Sequence, residues 1–110
     1  MRIVIQRVKS ASVEIDTQVF SKINQGILVF LGIAKSDTEN NIDFFINKLL
    51  NLRMFEDDSN KMNKSIQEIN GEILVVSQFT LYGNCQKGRR PSFDQAAKPE
   101  VAIPLYNKFI

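Results

Sequence analysis

From Ile27 to Ile33 the chain runs Ile-Leu-Val-Phe-Leu-Gly-Ile with no polar side chain, and this run constrains the fold more than any other segment. A strand exposed on one face would alternate apolar and polar residues, whereas this run can be satisfied only by cover on both faces. Such a strand needs partners in a sheet and something packed over it. The rest of the sequence supplies candidates for both.

Ile3 to Val8 begins as an apolar, β-branched strand, and Ser12-Val13-Glu14-Ile15-Asp16 alternates strictly, with Val13 and Ile15 on one face. Asp16-Thr17-Gln18 reads as a turn into a short strand from Val19 to Ile23. Asn24-Gln25-Gly26 reads as a second turn, with Gly26 suited to positive φ. Ser36 and Glu39 have capping-box spacing ahead of Ile42, Phe45, Ile46, Leu49 and Leu50, which form one helical stripe. Leu52 to Phe55 then reads as a strand that ends at the polar turn Glu56-Asp57-Asp58-Ser59-Asn60. Glu72 to Leu81 is the strongest strand signal, apolar first and carrying Ser77, Gln78 and Thr80 at its far end. A loop rich in glycine and basic residues spans Tyr82 to Phe93. A last helix is expected from Pro99 or Glu100, with Val101, Leu105 and Phe109 facing inward and Pro104 forcing a late start or a bend. Phe109-Ile110 ends inside this apolar pattern without a Gly or Asn cap, so a C-terminal segment is expected to be missing.

With 110 residues, 44% of them hydrophobic and 24% charged, the chain suits a single domain spanning 1–110 rather than a disordered or fibrous segment. One cysteine, Cys85, excludes an intrachain disulfide framework. Arg2 and Arg7 interrupt the N-terminal segment too soon for a signal-peptide core, and no apolar run approaches the ~20 residues of a membrane helix. A soluble, cytoplasmic protein is the expectation.

Histidine is absent, which removes the commonest general base near neutral pH and with it any Ser-His-Asp or Cys-His site built from this chain alone. One cysteine and no histidine also fail to furnish the usual zinc ligands, and neither a metal nor an organic cofactor is expected. Cys85 has no evident base to form its thiolate, and Glu56, Asp57 and Asp58 match no calcium-loop spacing.

Two segments remain as candidate sites. Ser77-Gln78-Phe79-Thr80 lies at the end of an apolar strand, which can hold hydroxyl, amide and backbone N–H groups rigidly toward a ligand or simply cap neighbouring strands. Lys87-Gly88-Arg89-Arg90-Pro91 carries three cations flanked by Tyr82 and Phe93, suited to phosphates and unpaired bases or to plain solvation. The net charge of only +2 does not decide between these.

Ser77-Gln78-Phe79-Thr80-Leu81 and Lys87-Gly88-Arg89-Arg90-Pro91-Ser92-Phe93 resemble blocks of the D-aminoacyl-tRNA deacylases. Met1-Arg2-Ile3-Val4-Ile5-Gln6-Arg7-Val8 and Leu50-Asn51-Leu52-Arg53-Met54-Phe55-Glu56-Asp57 are similar to the same family, in the same order along the chain. The resemblance implies a homodimer of α+β subunits, each with a curved, barrel-like sheet and few helices. It implies hydrolysis of the ester of a D-aminoacyl-tRNA, with Ser77, Gln78 and Thr80 as catalytic residues. Phe79 would lie by the terminal adenosine, and Arg7 would support a second, Gly-Pro motif that falls beyond Ile110. Lys87, Arg89 and Arg90 would then meet the tRNA.

Without a histidine, the expected mechanism is RNA-assisted: backbone N–H groups stabilise the oxyanion while the 2′-hydroxyl of the tRNA helps to activate water. Thr80 as a covalent nucleophile is the competing route. Readings from other classes are a non-catalytic tRNA-binding module and a structural dimerisation domain.

Overall fold

The computed structural model describes residues 1–84, 86, 89–90 and 92–110, so Cys85, Lys87, Gly88 and Pro91 lie outside the described residues. Four strands come first: β1 (Arg2–Val8), β2 (Ala11–Ile15), β3 (Gln18–Ile23) and β4 (Gly26–Gly32). Helix α1 (Glu39–Asn51) follows, then the short strands β5 (Phe55–Glu56) and β6 (Met62–Lys64), and β7 (Glu72–Ser77). A 3-10 turn (Phe79–Tyr82) and helix α2 (Pro99–Phe109) complete the described chain. The class is α+β, as expected. The strands form a sheet of order β1-β4-β7 and two hairpins, β2-β3 and β5-β6, and none closes into a barrel among the described residues. Among the same residues no helix is long and apolar enough to cross a membrane.

Two compact units divide the chain. One comprises Met1–Val4, Phe30–Ile46 and Val76–Ile110, and the other Ile5–Val29 and Asn47–Val75. In the first, Leu31, Ile33, Ile42, Tyr82 and Phe109 are buried; in the second, Ile23, Ile27, Val29, Leu49, Phe55, Ile66 and Leu74 are buried. Strand β4 is at least partly covered at every position, as the uninterrupted apolar run requires.

Strands β2 and β3 pair antiparallel, with Ala11 opposite Ile23 and Ile15 opposite Gln18. Asp16 and Thr17 both take positive φ, the backbone of a two-residue turn that matches the twist of its strands, so Gln18 already belongs to β3. Ile15, which the alternation puts on one face with Val13, is 53% exposed.

Several expectations shift when the residues find their partners. Helix α1 begins at Glu39, and its start is closed by Asn41, whose Oδ1 accepts from the Thr38 backbone N–H at 2.8 Å. Reciprocal capping instead occurs at Ser65 and Glu68, where each side chain accepts the other's backbone N–H. Leu52 to Met54 is not strand; β5 begins only at Phe55. Helix α2 starts at Pro99 without delay, because proline is well placed where an N–H would lack a partner anyway. Pro104 lies inside it, and Val101 is exposed while Phe109 is buried.

Gly26 matters through space rather than positive φ. A Cβ built there would fall 1.8 Å from the Glu72 carbonyl oxygen, so only glycine lets β4 start so close to β7. At Gly71 the nearest atom to a built Cβ is Ile66 Cδ1, the end of a flexible side chain. Gly26→Ala is therefore expected to lose about 3 kcal/mol or more, and Gly71→Ala roughly 1 kcal/mol. Urea midpoints measured at equal m-value test the pair; matching midpoints would refute the steric role of Gly26.

Candidate active site

Ser77 closes β7, and the chain then turns rather than continuing as strand. The Gln78 backbone N–H donates to the Leu31 carbonyl at 2.8 Å, which anchors the turn to the end of β4. Phe79 to Tyr82 coil into the 3-10 turn, with the Leu81 N–H donating to the Gln78 carbonyl at 3.3 Å. The expectation that Thr80 and Leu81 extend the strand is thus corrected. Gly32 permits the packing: a Cβ there would be 3.1 Å from Leu81 Cβ and 3.2 Å from the Gln78 carbonyl oxygen.

The turn presents its motif outward. Ser77, Phe79 and Thr80 are exposed and Gln78 is partly buried, while Tyr82 is buried. Gln78 Nε2 donates to Thr80 Oγ1, so two of the motif's three polar side chains hold each other. The Phe79 ring is 58% exposed and meets Phe93 edge-on, with centroids 5.1 Å apart and planes at 68°. One free face of a ring supported from the side is a platform for a flat partner.

Arg2 braces the end of the turn. Its guanidinium donates to the Leu81 carbonyl at 2.9 Å and lies 4.5 Å from the centroid of the Tyr82 ring. Burial pushes the Tyr82 hydroxyl above its ordinary range, the Asp37 carboxylate adds to that, and Arg2 opposes it. Tyr82 therefore stays protonated at neutral pH and offers no base. Its burial also removes it as a base-stacking ring at the loop, which leaves Phe93 in that position.

Asn84 and Ser92 form an antiparallel bridge with reciprocal N–H···O=C bonds, both 2.7 Å. The bridge closes the basic loop at its base, and Arg89 and Arg90 are exposed on it. Phe93, the next residue, carries the contact to Phe79. Lys87 lies outside the described residues. The structure thus brings Ser77, Gln78, Phe79, Thr80, Arg89 and Arg90 into one unit.

Arg7 belongs to the other unit, where its guanidinium donates to the Met54 carbonyl at 3.0 Å. It lines a cavity of about 450 Å³ with Lys9, Gln25, Phe55 and Glu56. The acidic turn after β5 is structural: Asp57 Oδ1 accepts the Ser59 and Lys61 backbone N–H groups, at 2.8 and 3.1 Å. Those bonds, the Lys61 one foremost, hold the Asp57 carboxyl below its usual range.

Sequence reasoning missed Asp37. Its carboxylate receives the Met1 ammonium at 2.7 Å and the Ala34 backbone N–H at 2.7 Å, almost wholly out of solvent. A lone aspartate before a helix carries no signal of a partner at the chain start.

The family profile described as D-Tyr-tRNA(Tyr) deacylase matches residues 4–110, a span that takes in both units and the 3-10 turn. The chain is similar to the D-aminoacyl-tRNA deacylase of Aquifex aeolicus (strain VF5), 57% identical over all 110 residues and 74% of that protein. It is similar to the D-aminoacyl-tRNA deacylase of Clostridioides difficile (strain 630), 54% identical over the same span and 74% of the relative. Among solved structures, the c-Myc DNA Unwinding Element Binding Protein superposes with a TM-score of 0.93 at 44% identity, over 99% of this chain and 73% of that one. A probable eukaryotic D-amino acid tRNA deacylase shares the fold, with a TM-score of 0.84 at 22% identity over 97% of this chain and 63% of its own. By the extent of these matches, the chain belongs to the D-Tyr-tRNA(Tyr) deacylase family.

Proposed function

We propose that this protein hydrolyses the ester joining a D-amino acid to tRNA, releasing the free D-amino acid and the free tRNA. The observation that carries the reading is identity above half over every residue to relatives named for that activity. The 110 residues act as one deacylase domain, since β1, β4, β7 and α1 each contribute residues to both units. The protein works in the cytoplasm, where charged tRNA is used. It works as a homodimer; Phe20 at 76% exposure and Phe44 at 63% leave apolar surface for a partner copy.

In this reading the 3-10 turn receives the ester. The first N–H groups of any such turn have no partner within it, so those of Phe79 and Thr80 suit the oxyanion that forms as water attacks the carbonyl. Ser77, Gln78 and Thr80 shape the wall, and the free face of Phe79 takes the terminal adenine. Arg7, in the other unit, keeps the role that the resemblance gives it, support of the Gly-Pro motif. Lys87, Arg89 and Arg90 meet the tRNA phosphates. Water is activated with help from the ribose 2′-hydroxyl, which suits a chain without histidine.

Purified protein, sedimenting as a dimer, is expected to deacylate D-tyrosyl-tRNA while sparing L-tyrosyl-tRNA; equal loss of both esters would refute the chiral assignment. Thr80→Ala is expected to keep kcat/KM within about threefold, whereas a covalent role predicts a drop of roughly 10³ or more. Arg89→Ala with Arg90→Ala is expected to weaken tRNA binding and lower its log–log salt slope by about 0.7–0.9 for each phosphate no longer neutralised. An unchanged slope would place the tRNA on another surface.

A further inference from the structure

The unit that carries the 3-10 turn also holds a cavity of about 530 Å³, within the ~300–1,000 Å³ typical of small-ligand sites. Arg2, Lys35, Ser36, Tyr82, Asp94 and Gln95 are among its lining residues, and so is Met1. The charges do not cancel. The Met1 ammonium is spent on the Asp37 carboxylate, 2.7 Å away and almost fully buried with it, so that pair adds little field to the cavity. Arg2 and Lys35 remain against Asp94, leaving one net positive charge on the wall.

Both cations stand on fixed backbone. Arg2 follows the anchored Met1, and its guanidinium is held by the Leu81 carbonyl and the Tyr82 ring, which occupies one of its five N–H donors and leaves the rest of the fork available. Lys35 follows Ala34, whose N–H is bound by Asp37, and its own N–H donates to the Gln95 carbonyl at 3.1 Å. Both side chains are exposed. Ser36 and Gln95 add a neutral hydroxyl and an amide. A planar fork, an ammonium and neutral donors around a cavity form the donor set that phosphate oxygens accept. Leu81, which Arg2 grips, directly follows Thr80, so the cavity begins where the ester-binding turn ends.

We infer that this cavity binds a backbone phosphodiester of the single-stranded 3′ end of tRNA, the strand that continues from the terminal adenosine. The inference rests on the deacylase reading and adds a phosphate contact distinct from the Arg89–Arg90 loop. It gives the charged 3′ strand a second grip beside the turn, in addition to the ring platform of Phe79.

The test compares two esters that differ in phosphate: D-tyrosyl-tRNA and the D-tyrosyl ester of adenosine, which has none. The readout is the ratio of their kcat/KM values. Lys35→Glu is expected to lower that ratio about tenfold at low salt, Asp94→Asn to raise it, and Lys61→Glu, on the β5-β6 turn of the other unit, to leave it unchanged. Equal effects of Lys35→Glu and Lys61→Glu would reduce the cavity to part of a general field and overturn the proposal. Inhibition of both esters by inorganic phosphate at constant ionic strength would assign the cavity to a free anion, which also overturns it. Binding of uncharged tRNA tests the contact without turnover: Lys35→Ala should reduce the salt slope by about 0.7, and an unaltered slope refutes the contact. If the unmodified protein cleaves neither ester, the deacylase reading fails while the slope still tests the cavity.

Discussion

Strand β4 is held between two close approaches, one that excludes a side chain and one that leaves little room for it. At one end Gly26 lies against the Glu72 backbone, where even a methyl group would overlap the carbonyl oxygen. At the other, Gly32 lies against Gln78, Leu81 and Tyr82, where a methyl would only just fit. The first contact sets where β7 begins, and the second sets where the 3-10 turn rests. Between them run the side chains of Ile27, Val29 and Leu31, fully buried and therefore intolerant of a shift in register. The exposed motif is thus displayed from a tightly constrained part of the chain, which suits the positioning role proposed for it.

Electrostatics is arranged around the same turn. A chain without histidine has few ways to place a proton-transfer group near neutral pH. Among the described residues, the titratable groups with shifted values, Tyr82 and Asp57, are both moved away from that range. What the turn has instead is oriented donors and fixed cations. Arg2 links the start of the chain to the last residues of the turn, and Asp37 ties the Met1 ammonium to the backbone that follows β4. These are long-range contacts between short, locally ordinary segments.

That is why the sequence showed some features and hid others. The buried run at β4, the i, i+3, i+4 stripe of α1 and the proline-led start of α2 are local patterns, and each appears in the fold within a residue or two. The spacing of Ser36 and Glu39 misled because Thr38 and Asn41 close the helix two residues later, while the same spacing at Ser65 and Glu68 caps a single turn. The apolar-to-polar run of Glu72 to Leu81 looked continuous, yet the anchoring of Gln78 on Leu31 bends it out of the strand. Tyr82 looked like a loop aromatic and proved to be core, because its neighbours Ala34 and Ala96 lie far away in sequence. Of the candidate site, the Ser77 to Thr80 block was visible as a motif. Its support by Arg2, Gly32 and Phe93 was not, since nothing in a linear pattern records which distant residue leaves room or supplies a ring.

The bridge between Asn84 and Ser92 has an implication for how such a protein diversifies. Two reciprocal hydrogen bonds hold Asn84 to Ser92, which gives a change of length or charge between those residues a fixed base to be built on. Under the proposed function, the tRNA contact on this loop can vary while the Ser77 to Thr80 turn beside it is kept. Phe93, immediately past the bridge, reaches the turn through its ring contact with Phe79. On the proposed reading, substrate contact and reaction are in that sense separable traits in one short chain.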